Sequence, residues 1–343
     1  MVTIRDVSKL AKVSTSTVSR VICNNGIVSQ DTKARVLGAI QQLGYRPNTL
    51  AQGLKYNRSN VLGVVVPDLS SPYFAHMLKS VEQAVENAGM NMIVCSGHAN
   101  RASERKAVES LLGHRCAALI LNIEATLLEL EDDLTGFIQE RVPIVMLGLN
   151  VPKYANNSVY TDNELGGFLA TDYLISQGHR NIIHLAGPSK YRDSRARLAG
   201  YKRALQQAGL PYRENYVIAG DEYEEVFGYQ ATKELLTLNT PFSAIFAGDD
   251  DIAAGAVEAL HANGVKVPED ISLVGFDDMF YAHLMHPKLT TIRQPISEMG
   301  KVAGELAISL ISGKPTDAIQ KVFTPELIVR SSVAQKNGST WSA

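Results

Sequence analysis

From Val61 onward the chain alternates between two textures, and this alternation limits the fold more than any other feature of the sequence. Val61-Leu62-Gly63-Val64-Val65-Val66 is a continuous apolar run ended by Pro67, as expected of a strand buried on both faces. A helical pattern follows from about Phe74 to Asn87 and ends at Gly89. Further apolar runs fall at Asn91–Cys95, Ala118–Leu121, Ile144–Leu147, Ile182–Ala186, Tyr216–Ala219, Ala244–Ala247 and Ile271–Phe276. Helical stretches lie between them, several closed by glycine (Gly178, Gly209, Gly264). Strand–helix alternation of this kind builds a parallel sheet. The strands are too many for one comfortable sheet and divide into two similar series. The expected body is therefore two parallel α/β subdomains with a ligand cleft between them.

In open parallel sheets, ligands sit outside the carboxyl ends of the strands. The residues that follow the apolar runs are therefore the candidates: Asp68 to Phe74 with Tyr73, then Ser96-Gly97-His98, Asn122, Leu149-Asn150, Gly187-Pro188, Gly220 to Tyr223, Asp249-Asp250 and Asp277-Asp278. Carboxylates and an amide can pair with vicinal hydroxyls, and an aromatic face can cover the apolar face of a sugar or base. Such a rim suits a small neutral polyol. Asp250 and Asp278 read instead as caps or ties for nearby loops. His98, His184, His283 and His286 have no metal spacing and read as structural. The acidic run Glu124 to Asp133 reads as a solvated helix face.

The first 60 residues differ in texture. Val13-Ser14-Thr15-Ser16-Thr17-Val18-Ser19-Arg20-Val21 reads as the second helix of a helix-turn-helix. Ser14 can cap it, and Val18, Val21 and Ile22 make one apolar face. Thr15, Ser16, Thr17, Ser19 and Arg20 lie off that face, where short polar groups and a guanidinium can approach base edges and phosphates. Upstream, Thr3 caps a short helix from Ile4 to Ala11, with Asp6 completing a weak capping box. Downstream, Ser29 caps a third helix with Val36, Leu37, Ile40 and Leu43 inside, ending near Gly44. Three short helices of this kind form a compact DNA-reading unit.

Charge supports the division. Residues 1–60 hold nine Lys/Arg against two Asp, a net +7, and the remainder carries 24 basic and 33 acidic residues, a net −9. The near-neutral total of −2 thus hides a basic head on an acidic body, as a polyanion-binding head should show. The 45% hydrophobic content allows sizeable cores. No apolar run approaches the roughly 18 residues that span a bilayer, and the N-terminus shows no signal pattern, so a cytoplasmic, nucleoid-associated location is expected. Cys23, Cys95 and Cys116 are far apart, with no metal spacing, and read as reduced thiols.

Thr3-Ile4-x-Asp6-Val7, Val13-Ser14 through Val21, Val28-Ser29 and Gly44-Tyr45-Arg46-Pro47-Asn48 together resemble the headpiece of the LacI/GalR family of bacterial repressors. Motifs further on extend the likeness to nearly the whole chain, among them Arg195-Ala196-Arg197-Leu198-Ala199-Gly200-Tyr201, Gly248-Asp249-Asp250-Asp251 and Val274-Gly275-Phe276-Asp277-Asp278. The resemblance implies a helix-turn-helix domain at 1–46 and a hinge helix and linker at 47–60. It implies a body at 61–343 of the periplasmic-binding-protein type, with an N-subdomain at 61–161 plus 293–321 and a C-subdomain at 162–292 plus 322–335. The chain would cross between these near 161–163, 290–294 and 320–324, and Val322 to Val333 would return as a strand. Thr15, Ser16 and Arg20 would read bases, with Thr17 beside them on the DNA-binding face, Thr3, Ser14, Ser29, Asn24 and Asn25 would anchor phosphates, and Asn48 would cap a hinge helix whose Leu54 wedges into the minor groove. Tyr73, Phe74, Asn122, Arg197, Asp249 and Asp277 match ligand-contacting positions, Tyr223 lies one residue from the position of a stacking aromatic, and Asp68 joins the ligand-binding set from the polar rim. A homodimer on palindromic operator DNA is implied, without cofactor or membrane.

The expected function is a ligand-responsive, sequence-specific repressor, with a sugar or glycoside as effector. A purine- or nucleoside-responsive regulator of the same fold is the alternative. A sugar-processing enzyme with an added head is disfavoured, since G-x-S-x-G, G-x-x-x-x-G-K-[S/T], G-x-G-x-x-G and H-E-x-x-H are all missing. A transport-type binding protein without a DNA role is disfavoured by the basic head.

Overall fold

The chain divides at Ser59/Asn60 into a small N-terminal unit and a large one. The computed structural model describes residues 2–22, 28–45, 59–98, 100–123, 142–148, 157–238, 240–313 and 319–336. Cys23, Asn24, Asn25, Asn48, Leu54, Asn150 and the run Glu124 to Asp133 lie outside the described residues.

In the small unit, α1 (Ile4–Ala11), α2 (Thr15–Ile22) and α3 (Gln30–Leu43) close around Val7, Ala11, Val18, Val21, Val36 and Ala39. The caps follow from the sequence. Thr17 N–H donates to Ser14 Oγ at 3.2 Å, and Thr32 N–H to Ser29 Oγ at 3.4 Å. Gly44 closes α3 at φ 58°, a conformation that suits glycine. At Thr3 the roles are partly reversed, because both its N–H and its hydroxyl donate to Asp6 Oδ2, at 2.8 and 2.7 Å. One expectation fails: Leu37 is 49% exposed and Ala39 takes the inner place. Val36, Ala39, Ile40 and Leu43 make the i, i+3, i+4, i+7 stripe, and Leu37 falls beside it.

The large unit contains two six-stranded sheets of the same plan. The first runs β2-β1-β3-β4-β5-β11, with β1 (Val61–Val66), β2 (Asn91–Ser96), β3 (Ala118–Leu121), β4 (Ile144–Leu147), β5 (Asn157–Thr161) and β11 (Ile319–Phe323). The second runs β7-β6-β8-β9-β10-β12, with β6 (Ile182–Ala186), β7 (Val217–Ala219), β8 (Ala244–Ala247), β9 (Ser272–Asp277), β10 (Thr290–Arg293) and β12 (Glu326–Ile328). All these pairings are parallel except β10 with β12. The first sheet is covered by α4 (Pro72–Asn87), α5 (Arg101–Gly113) and α10 (Ile296–Ile311), the second by α6 (Asn163–Ser176), α7 (Arg192–Gln207), α8 (Glu225–Thr237) and α9 (Asp250–Ala262). Burial on both faces gives each sheet two apolar cores, which explains the unbroken apolar strands.

Three crossovers join the lobes. The first follows β5, the second lies between β10 and α10, and the third separates β11 from β12. They run side by side. Thr161 pairs with Phe323, Asp162 N–H donates to Phe323 O at 3.0 Å, and Arg293 pairs with Glu326. The expected single return strand at Val322 to Val333 is thus two short strands in different sheets. Pro325 separates them and cannot donate to a ladder. Tyr216 belongs to a short 3-10 turn, Glu214–Tyr216, rather than to the strand after it.

Candidate functional site

Each sheet has one strand order reversal, between β1 and β3 and between β6 and β8, and ligands gather at the carboxyl ends beside such switch points. The loops leaving β1, β3, β6 and β8 begin at Pro67, Asn122, Gly187 and Gly248. A cavity of about 310 Å³ opens there, lined from the first lobe by Asp68, Tyr73, Phe74, His98 and Asn122 among others. From the second lobe come Asn163, Tyr191, Asp193, Arg197, Glu222, Tyr223, Asp249, Asp251, Asp277 and Gln294. All eight ligand positions named from the sequence therefore meet on one cavity.

Arg197 stands at its centre. Glycines put it there: a Cβ at Gly167 would collide with the backbone of Arg197, and one at Gly200 with the carbonyl of Glu164. α6 and α7 therefore approach closely, and Arg197 Nε donates to Asn163 Oδ1 at 2.9 Å while Nη1 donates to Gly248 O. Nη2 lies 3.5 Å from both Asp193 and Asp277. The guanidinium covers the Phe276 ring at 3.8 Å from its centroid and faces Tyr223 at 5.5 Å. Burial works against its charge, yet Tyr223, Asp277, Asp193 and Asp249 together hold it above the ordinary arginine range.

The carboxylates are anchored at one oxygen. Asp249 Oδ1 caps α9 by accepting from Ile252 N–H at 2.7 Å, and Asp277 Oδ1 accepts from Gln294 Nε2 at 2.6 Å. Asp251 accepts from the Tyr281 hydroxyl through Oδ1. The second oxygen of each has no hydrogen-bond partner among the described residues. Burial raises Asp249 well above the usual carboxylate range, with Asp251 and Asp277 adding to it, and burial raises Asp277 against the pull of Arg197. Aromatic faces flank the acids: Tyr73 meets Phe74 edge-on at 5.1 Å, and Tyr191 stacks on Tyr223 at 6.0 Å. Tyr223 donates to Asp193 at 3.1 Å and Tyr191 to Glu222 at 2.7 Å. The Asn122 side chain is buried and makes no hydrogen bond to the described residues.

The sequence did not point to Asn163, Tyr191, Asp193 or Gln294. Asp193 was legible as the i−4 partner of Arg197. Gln294 was hidden because β10, Thr290–Arg293, contains no apolar run. Asp250 and Asp278 do tie loops. Asp250 accepts from Met279 N–H at 2.7 Å and the Thr291 hydroxyl at 2.6 Å, and Asp278 pairs with Arg293 and Arg330. His184 is fully buried, stacked on Phe246, and burial lowers it to about 4. His98 does line the cavity. Cys116 is buried, which pushes its thiol up to about 11. Among the described residues no group of three or more His, Cys, Asp or Glu can hold a metal, and no helix is long and apolar enough to cross a membrane.

On the head, Thr3, Ser14, Thr15, Ser16, Arg20 and Ser29 are exposed and Thr17 is half-buried. Ser14 Oγ lies 2.7 Å from Ser16 Oγ and 2.9 Å from Thr17 Oγ1, which leaves a hydroxyl cluster and Arg20 on the outer face of α2. Thr3's hydroxyl is committed to Asp6.

A basic helix-turn-helix head followed by a two-lobed body with a polar interlobe cavity defines a class, the DNA-binding regulators that carry a small-molecule sensor. Comparison with known proteins agrees. The family profile for bacterial regulatory proteins of the lacI family matches residues 3–48, and that for a periplasmic binding protein-like domain matches residues 171–333. The transcriptional regulator GalR of Escherichia coli (strain K12) is 38% identical over 97% of this chain and 96% of its own length. The repressor PurR of Photorhabdus laumondii is 35% identical over 97% of each chain. The lac repressor dimer bound to operator and an anti-inducer superposes with a TM-score of 0.85 at 27% identity, covering 97% of this chain and 99% of that one. The regulator CelR in complex with cellobiose gives 0.72 at 32% identity, covering 97% and 100%. The chain belongs to the lacI family of bacterial regulatory proteins. It is a DNA-binding transcriptional regulator, not an enzyme.

Proposed function

We propose that this regulator represses transcription from palindromic operators as a homodimer in the bacterial cytoplasm, on the nucleoid, and that a neutral monosaccharide or its glycoside in the interlobe cavity sets its operator affinity. The observation that carries the effector class is the polarity of the cavity. Among the described residues seven carboxylates line it (Asp68, Asp193, Glu222, Glu224, Asp249, Asp251, Asp277) against one lining guanidinium, Arg197, which is already shared between two of them. Such a lining repels phosphorylated ligands, while the unengaged oxygens of Asp249 and Asp277 accept from hydroxyls. Asp68, Asn122 and Arg197 complete the polar contacts, and Tyr73, Phe74 and Tyr223 cover the apolar sugar faces. The volume sits at the low end of small-molecule sites, about 300–1,000 Å³.

Arg20, Thr15 and Ser16 read bases with Thr17 beside them on the same face, and Ser14, Ser29 and the Thr3 region meet phosphates, with Asn24 and Asn25 assigned to the same backbone. Asn48 and Leu54 belong to the hinge that enters the minor groove. GalR, GalS and PurR are named as regulators of transcription, and the CelR relative holds a sugar, which supports the same use of the fold.

The test is fluorescence anisotropy of the full-length protein on a duplex selected from a random library, at constant salt. The panel contains D-galactose, other hexoses, β-glycosides, hexose phosphates, nucleosides and purines. A shift in affinity with a neutral sugar supports the proposal. A response confined to purines or to phosphorylated sugars overturns the effector class and leaves the DNA-binding role standing.

A further inference from the structure

The turn 277–279 stands at the junction of all three crossovers and the cavity, and each of its residues is fixed to a different part of the molecule. Asp277 is left-handed at φ 106° and Asp278 at φ 56°. Two consecutive non-glycine residues in that region persist only where the surroundings over-determine them. Asp277 faces the cavity, where Gln294 Nε2 holds it at 2.6 Å and Arg197 lies 3.5 Å away. Asp278 faces the other way. Arg293 Nε donates to its Oδ2 at 2.7 Å, and Arg330 Nη2 donates to its Oδ1. Met279 N–H donates to the buried Asp250, and its side chain joins the apolar core that contains Met299 and Val145 of the first lobe.

Arg293 and Gln294 are consecutive residues at the entrance to the second crossover. Arg330 follows β12, just beyond the third, and anchors itself on Leu289 O at 2.7 Å. Asp277 and Asp278 therefore clasp the crossovers with two adjacent carboxylates of opposite aim. The Asp278 side chain is only 8% exposed, and the residue lines no part of the cavity. The first crossover meets the apolar core that holds Met279 through Thr161, whose hydroxyl lies 3.1 Å from Met299 Sδ.

We propose that Asp278 is the positioning residue that couples the cavity to the crossovers: through Arg293 and Arg330 it locks the second and third crossovers to the turn that presents Asp277. The proposal rests on the cavity being the effector site. A change in what Asp277 meets acts on a turn whose next carboxylate is tied to both crossovers, and coupling requires that this turn have two arrangements, each biased from both sites.

The test uses full-length Asp278→Asn, which keeps size and removes the charge, and Asp278→Gly, which tolerates the left-handed backbone without strain. Amide hydrogen exchange needs no ligand. Faster exchange in both 290–296 and 326–332, with β1 and β6 unchanged, is the expected result for both variants. Exchange altered only at 276–279 overturns the clasp. The second readout is operator affinity with and without D-galactose, beside calorimetric D-galactose binding. Where the wild-type response falls in the roughly 5–150-fold range of allosteric coupling, the variants bind D-galactose as the wild type does and lose most of that response. A normal response overturns the proposal, and so does loss of D-galactose binding in step with the response, which is what a merely structural role produces. A wild-type protein indifferent to D-galactose excludes that one sugar as effector, and hydrogen exchange then decides the clasp alone.

Discussion

Arg197 is gripped on every side, and two consequences follow for single residues. Removing it leaves the buried Asp277, and the half-buried Asp193 beside it, without their counter-ion, an event that costs about 3–5 kcal/mol for a buried pair. Arg197→Lys is the sharper test, because it keeps the charge and loses the planar fork and the stack on Phe276. It should fold with a lowered melting temperature and show no effector response in the anisotropy assay. The buried acids and histidines give pH effects of opposite sign. Asp249 has a folded value above its ordinary 3.8, so its burial is unfavourable at neutral pH and harmless below 3.8. Asp249→Asn, which still caps α9, should raise stability at pH 7.5 by about 1 kcal/mol, with the gain fading as pH falls. His179 and His184 are lowered by burial from 6.5 to about 4. Their contribution is complete above 6.5 and is lost as pH falls through about 4. Thermal melts between pH 8 and 4 should decline below 6.5, and less steeply in His179→Gln. The eight cavity positions were legible because each follows an apolar run or sits in a recognisable motif. Gln294 and Tyr191 carried no such signal, since their place depends on how loops from distant strands converge.

At the scale of elements, helix contacts through glycine decide more than helix propensity does. α10 lies against α4 so closely that a Cβ at Gly300 would overlap the carbonyl of Met77. Propensity alone favours alanine in a helix interior by about 1 kcal/mol, but overpacking of this kind costs about 1–3 kcal/mol. Gly300→Ala should therefore destabilise the body in urea denaturation. Gly38→Ala in α3, where nothing lies within 4 Å, should stabilise the head by the propensity term. A gain at both positions would refute the packing argument. The pattern of the sequence revealed β1, β3, β4, β6 and β8, whose residues are apolar on both faces. It missed β5 and β10, where Asn-Ser-Val-Tyr-Thr and Thr-Thr-Ile-Arg sit at the crossovers, and the resemblance merged the end of β11 with β12. Ser158, Thr161, Thr290 and Thr291 are buried all the same, so the polarity of these strands follows tertiary position rather than sheet period.

For the molecule as a whole, the +7 head and the −9 remainder make association with DNA strongly dependent on salt. Operator affinity should fall by roughly 10³-fold or more between 50 and 200 mM salt if each dimer meets 6–10 phosphates, whereas calorimetric binding of a neutral sugar should barely change. Similar slopes for both ligands would contradict the separation of the two sites. The carboxylates of the cavity have a last consequence, for how such a regulator acquires a new signal. Asp249 starts α9, and Asp193 lies in the first turn of α7, where it accepts from Ser194 N–H at 2.7 Å. Changing either acid alters a helix start along with the ligand contact. Tyr73, Phe74 and Tyr223 have no such second duty at a helix cap. Directed evolution toward a different sugar should therefore accumulate its changes at the aromatic positions and leave Asp249 and Asp193 in place, so that the inheritance of a sensor's specificity runs through its hydrophobic faces rather than its charges.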